Sequence, residues 1–234
     1  MSKLVLNDLK NHFAVVDDIG NAVSLLSWDQ NTKMPPGANA ARGQMMATLG
    51  VLSHERVTDK RVGKWLKELE KAKLSPMDAA MVREARRSYD RATKLPASFV
   101  EIWTKQRSKA QAVWIEARQK NQFKLFAPEL KKVFALARPY ADYVGYKDHP
   151  YDALHDMYEV GSSVANVKQV FEPLRNETVK LVKAVQGSKQ KSDKVLHQTY
   201  DEGLQEKFAV DVVKKFGYDF NHGRLDRTVH PFAQ

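Results

Sequence analysis

Residues 4–37 read LVLNDLKNHFAVVDDIGNAVSLLSWDQNTKMPPG. Within this stretch Leu4, Leu6, Leu9, Phe13, Val16, Ile19, Val23 and Leu26 recur mostly at threes and fours, the spacing of one helix face. Gly20 weakens such a helix but leaves its period intact. Met34-Pro35-Pro36-Gly37 then ends it, because two consecutive prolines restrict the backbone before them and remove two donors. A long opening helix closed by a proline pair sets the expectation for the whole chain, which is an all-α fold.

The same period continues outward from that break. It predicts helices over about Asn39–Val57 and Asp59–Lys73, then one opened by Ser75-Pro76, with Ser as cap and Pro at the first helical position. That fourth helix stops before Leu95-Pro96, and a fifth runs from about Ala97 to Lys120. A sixth is expected to begin near Pro128 and to be kinked or ended early by Pro139. Asp148-His149-Pro150 turns into a short helix reaching about Glu159, and Ser163 opens another to Val185. A lysine-rich loop follows, then a last helix over Lys207–Phe216, stopped by Gly217. The tail from Tyr218 to Gln234 is irregular, with room for one short strand ending near His230. No repeat and no βαβ alternation occurs, so residues 1–234 are expected to form a single helical domain.

With 234 residues, 43% of them hydrophobic, the chain has enough apolar surface for a core and is not a disordered segment. The absence of Cys excludes a disulfide framework, a thiolate metal site and a cysteine nucleophile. Asp8, Asp17 and Asp18 interrupt the apolar residues near the start, and no run of eighteen apolar residues occurs. A cytoplasmic protein without a membrane span is expected.

The formal net charge is +10. Residues 76–137 hold thirteen basic against six acidic residues, so most of the surplus is central. There Arg83, Arg87 and Arg91 stand four apart with Arg86 beside them, making a stripe on one helix face. Such a stripe is read as a solvated face or as the wall of a groove for an anionic ligand. Nucleic acid is the less favoured partner, because no basic run or interleaved aromatic ladder accompanies the charge.

Three constellations bear on possible chemistry. His54-Glu55 begins an H-E-x-x-H pattern, but position 58 is Thr, so the second imidazole that would face the metal is missing. Asp152, His155, Asp156 and Glu159 fall at helical spacing and resemble one arm of a carboxylate–His metal site. No second Glu-x-x-His helix exists to complete it, and a solvated face or partners for the Arg stripe is the favoured reading. Trp28, Trp65, Trp103 and Trp114 lie at apolar helical positions and are expected in the core.

Several strings are more particular than helical periodicity requires. Leu26-Ser27-Trp28-Asp29-Gln30 with Thr32, Met34-Pro35, Gly37 and Arg42 resembles the opening signature of the carboxypeptidase Taq family of metallocarboxypeptidases. Tyr89-Asp90-Arg91-Ala92-Thr93-Lys94-Leu95-Pro96, Phe123-Lys124-Leu125-Phe126-Ala127-Pro128, and Tyr140-Ala141-Asp142-Tyr143 with Gly145-Tyr146 are similar to later family strings. His149-Pro150-Tyr151-Asp152-Ala153-Leu154, Gly223-Arg224-Leu225-Asp226 and His230-Pro231-Phe232 complete the series, in order.

The resemblance implies the N-terminal, multi-helix half of a zincin-like carboxypeptidase. It implies a family activity, the zinc-dependent release of C-terminal residues from peptides, and a usual state, the homodimer. In the family a Glu of H-E-x-x-H activates a metal-bound water, and two His and a downstream Glu hold the zinc. Those motifs follow H-P-F, so none of the zinc ligands and no general base is expected in this chain, which is expected to be silent alone. The resemblance reaches an active-site motif only at His230, a candidate substrate-binding residue. The expected partners are a peptide substrate, a second copy, or the missing catalytic half. A non-catalytic helical module presenting a basic surface to acidic peptides or nucleic acid is the alternative.

Overall fold

The computed structural model describes residues 2–189 and 192–228. Helices α1 (Ser2–Thr32), α2 (Asn39–Val57), α3 (Lys60–Leu69), α4 (Pro76–Ala92) and α5 (Ala97–Gln119) follow one another through short connections. They continue with α6 (Phe123–Val144), α7 (Pro150–His155), α8 (Val164–Gly187) and α9 (Glu202–Lys215). Single 3-10 turns lie at Pro36–Ala38 and Lys194–His197. The fold is all-α, and no strand occurs among the described residues. The tail is irregular as far as Thr228, and the end of the expected strand near His230 lies outside the described residues.

Side-chain caps fix several helix starts. Ser75 Oγ accepts the Asp78 N–H at 3.2 Å, and Ser163 Oγ accepts that of Asn166 at 3.2 Å. Asp201 accepts the Leu204 N–H at 2.9 Å, so α9 begins five residues before the expected Lys207. Two other boundaries fall earlier than the pattern predicts: α3 ends at Leu69 and α7 at His155. The largest difference is α6, which starts at Phe123 and runs through both Pro128 and Pro139. Proline in a helix interior removes a hydrogen bond and crowds the preceding turn. Here Tyr140 and Ala141, directly after Pro139, are buried, and their packing offsets that cost.

The chain divides into two compact units. The first runs up to Ser162 and includes Thr228; the second is Ser163–Arg227. In the first, Leu6 and Leu9 of α1, Val62, Leu66 and Leu69 of α3, and Val82 and Ala85 of α4 form one apolar cluster. Gly63 belongs to the same seam: a Cβ there would stand 2.6 Å from the Tyr89 hydroxyl, so α3 and α4 meet over a bare backbone. On α2, Gly43, Ala47 and Gly50 form a strip of small residues facing Val100, Thr104 and Ser108 of α5. On the far side of α5, Trp103 stacks between Phe99 and Tyr140, with centroids 5.8 and 5.7 Å apart. Each of the four tryptophans is partly buried rather than enclosed.

In the second unit, Arg227 reaches Glu202 at 2.8 Å and Glu206 at 2.7 Å, and Lys214 lies over the Phe220 ring. Helix α8 has no buried residue, and Val170, Phe171, Leu174, Leu181, Val182 and Val185 are all exposed.

Glu129, near the start of α6, is buried and holds α5 to α6. Its carboxylate accepts from Gln106 at 2.7 Å and Lys132 at 2.8 Å, with Lys109 at 3.2 Å. The hydrogen bond from Lys132, then that from Gln106, outweighs burial and holds its pKa down at about 2. A depressed carboxylate contributes stability above the unfolded-state pKa and loses it as pH falls through the folded value. Glu129→Gln is therefore expected to lower stability at pH 7 by about 1–2 kcal/mol, after screening by the exposed lysines. Urea midpoints of the two proteins should converge as pH drops from about 4.5 toward 2. A gap that stays constant through that window would remove Glu129 from the acid limb.

Candidate functional site

The last turns of α1 carry a cluster of polar contacts that joins several helices. Arg42, on α2, donates to the Leu26 carbonyl at 2.6 Å and to Asp29 Oδ2 at 2.6 Å. This pair is mostly shielded, so the guanidinium clamps α2 across the end of α1. Gln30 is buried next to it. Its amide donates to Asn39 Oδ1 at 2.9 Å and to Ser108 Oγ at 3.0 Å, joining α1, α2 and α5. Gln111 donates to Asn31 Oδ1 at 3.0 Å. Thr228 donates its hydroxyl to the Asn31 carbonyl at 3.0 Å, across 197 residues of sequence.

These contacts explain why the string from Leu26 to Arg42 is so particular. An apolar helix end would need none of these donors. A buried carboxamide at position 30 is tolerated because both of its N–H groups find acceptors. The Thr228 contact anchors the backbone two residues before His230, which itself lies outside the described residues, as do Pro231 and Phe232.

A second cluster joins α4 to the segment after α7. Arg87 and Arg91 both donate to Asp156 Oδ2, Arg87 also reaches the Asp156 carbonyl, and Gly161 N–H donates to Asp156 Oδ1 at 2.8 Å. Burial raises the Asp156 carboxyl, but the Gly161 donor and the two guanidinia prevail and hold it below its ordinary value. Buried Tyr140 stands in the same neighbourhood, and its phenol is raised mainly by burial, against the charge of Arg91. Arg86 turns the other way, to Glu70 at 2.6 Å and Asp90 at 3.4 Å. Only Arg83 stays largely in solvent, with Glu84 3.7 Å away. The Arg stripe is thus mainly a set of internal ties.

The structure does not gather the metal candidates. His54 lies in the last turn of α2, and its carbonyl accepts from both the backbone and the hydroxyl of Thr58. Burial pushes its imidazole down, against a backbone bond near Leu95 and the charge of Glu55. Asp152 caps α7 in a box with His149, His155 lies against the Tyr151 ring, and Asp156 is held by arginines. Among the described residues no three His, Asp or Glu side chains converge where a metal ion would bind. The donors in hand do not fit a zinc ion. No helix of the described residues is long and apolar enough to cross a membrane.

Spacing did not reveal Gln30, Ser108 or the Gly43–Ala47–Gly50 strip as a joint. The local signal was present in the strip, where small residues recur at i, i+4 and i+7. The residues it meets on α5 lie fifty or more positions away along the chain.

Comparison with known proteins gives a consistent picture. The model of the carboxypeptidase Taq (M32) metallopeptidase family matches residues 8–234. Thermostable carboxypeptidase 1 of Thermus thermophilus is 36% identical over 223 residues, covering 89% of this chain and 44% of that protein. Carboxypeptidase 1 of Bacillus subtilis is 31% identical over 221 residues, covering 93% of this chain and 44% of that protein. The crystal structure of BsuCP superposes with a TM-score of 0.93 at 28% identity, covering 98% of this chain and 47% of the other. The chain therefore spans less than half the length of the relatives it matches.

Proposed function

From the premise that this chain belongs to the carboxypeptidase Taq (M32) metallopeptidase family, we propose that it is the N-terminal helical half of a peptidase releasing C-terminal residues from peptides. On this reading it supplies scaffold and one side of the substrate path, while the zinc and the general base reside in residues outside it. The carrying observation is that nearly the whole chain matches the family, yet covers only 44% of the relatives.

The exposed apolar side chains of α8 support the same reading, because a helix with this composition normally covers another surface. The zinc, the homodimer and the peptide substrate come with the family resemblance, and the cytoplasmic location rests on the sequence. The donor sets present do not fit zinc, so no chemical step is assigned to these residues. His230, which lies outside the described residues, is proposed to contact substrate. Arg86, Arg87 and Arg91 are spent on ion pairs within the fold, which weighs against a basic module for acidic partners.

The purified chain, supplied with zinc or cobalt and an N-blocked tripeptide, is expected to release no C-terminal amino acid. Metal-dependent turnover would overturn the assignment of the metal site to residues outside this chain. Sequencing the gene past codon 234 tests the other half of the reading: an open frame encoding H-E-x-x-H is expected, and an immediate stop would contradict it.

A further inference from the structure

The elbow between α5 and α6 forms an open recess of about 610 Å³, apart from the polar clusters described above. Its walls include Trp114 and Ala117 of α5 and Phe123 and Phe126 at the start of α6. Phe123 and Phe126 meet edge to face, with centroids 6.3 Å apart at 76°. Arg118, Asn121 and Gln122 supply its polar edge.

The elbow itself is well tied. Asn121 adopts a positive φ of 50°, and the Gln122 and Asn121 N–H groups close back on the Ala117 and Arg118 carbonyls at 2.8 and 3.1 Å. The cavity is therefore bounded by a closed helix end rather than by a free loop.

Its charge has one sign. No Asp or Glu lines the cavity, and the first turn of α6 contains no acidic residue. Glu116, the nearest carboxylate in sequence, is taken by Lys120 at 2.6 Å. Among the described residues no carboxylate lies within ion-pairing distance of Arg118, so its planar fork of donors remains at the rim. Aromatic walls favour a flat ring, and a guanidinium beside them favours a carboxylate or phosphate. The volume falls within the range of small-ligand sites.

We propose that this elbow binds a small aromatic anion, with the ring between Trp114, Phe123 and Phe126 and the anionic group on Arg118. The proposal is argued from this chain's own residues and does not rest on the peptidase reading.

The test uses the purified chain with three probes: N-acetylphenylalanine, its uncharged amide, and phenyl phosphate. Binding is read by calorimetry and by quenching of Trp114 emission, with Trp114→Phe identifying that signal among the four tryptophans. At least one of the anions is expected to bind roughly tenfold more tightly than the amide. Arg118→Gln is expected to erase that preference without moving the thermal midpoint, since Arg118 is exposed. Phe126→Ala should weaken every probe that binds. Preference for the carboxylate would identify an aromatic amino-acid terminus as the source, and preference for the phosphate an aromatic phosphate ester. Equal binding of the amide, a preference that survives Arg118→Gln, or no binding of either anion at about 20 mM would overturn the proposal.

Discussion

Leu66→Ala is expected to cost about 3 kcal/mol and to lower the melting temperature of the first unit by roughly 10 °C. Leu66 is fully buried at the centre of the cluster formed by α1, α3 and α4. Shortening it removes apolar transfer energy and leaves a void. Collapse around that void is limited, because Gly63 already brings α3 against Tyr89 with no slack. Helix α3 is only ten residues long, too short to persist on its own propensity, so its order depends on Val62, Leu66 and Leu69. Urea unfolding should show a lower midpoint with an unchanged slope. The control is Leu4→Ala, at the exposed start of the same apolar stripe on α1, for which a change within about 0.5 kcal/mol is expected. Equal losses at both positions would mean that the cluster is not the core.

That contrast also shows what periodicity can and cannot convey. Leu4 and Leu9 belong to one stripe in the sequence, yet Leu4 is exposed and Leu9 fully buried. The period of α1 selects a face; which part of that face is covered depends on where α3 arrives. The early end expected at Pro139 does not occur, for a related reason. Pro128 and Pro139 carry a local penalty, but Tyr140 and Ala141 are buried in the layer with Trp103, and tertiary packing prevailed. Caps were more legible, because a side chain three residues from its N–H is a local event: Ser75 and Ser163 act as their positions suggest.

The polar joints lie at the other extreme. Gln30 finds Ser108 78 residues away, and Arg87 finds Asp156 69 residues away. The spacing of the Arg stripe predicts a charged face, and the acids around Asp156 were plausible partners for it. Only the fold shows that two guanidinia share one carboxylate while Arg86 pairs elsewhere. The missing second His of His54-Glu55 was fully legible, since a helical metal pair is a matter of four-residue spacing.

Asp156→Ala is expected to be the most damaging single change among the charged residues, at about 2 kcal/mol. Its carboxylate accepts from both Arg91 and Arg87, and it also accepts the Gly161 N–H. Removing it leaves two half-shielded cations facing each other. Gly161 stands at φ +75°, just before the chain enters α8, so the same loss frees the turn that follows α7. Partial exposure of all three side chains keeps the figure below that of a fully buried pair. The pH dependence has a definite sign. Because the folded carboxyl is held below its ordinary value, its contribution is complete above the unfolded pKa and disappears as pH falls through the folded one. Melting temperatures of the parent and Asp156→Ala should therefore differ at pH 7 and converge on acidification. Asp156→Asn separates charge from hydrogen bonding: its carbonyl still accepts from Gly161, so it should recover part of the loss at neutral pH. In double-mutant cycles, Arg87→Gln and Arg91→Gln should each couple to Asp156→Ala, whereas Arg83→Gln, which makes no contact with Asp156, should add independently. Additivity at all three arginines would mean that the shared carboxylate contributes nothing to holding α4 against the segment after α7.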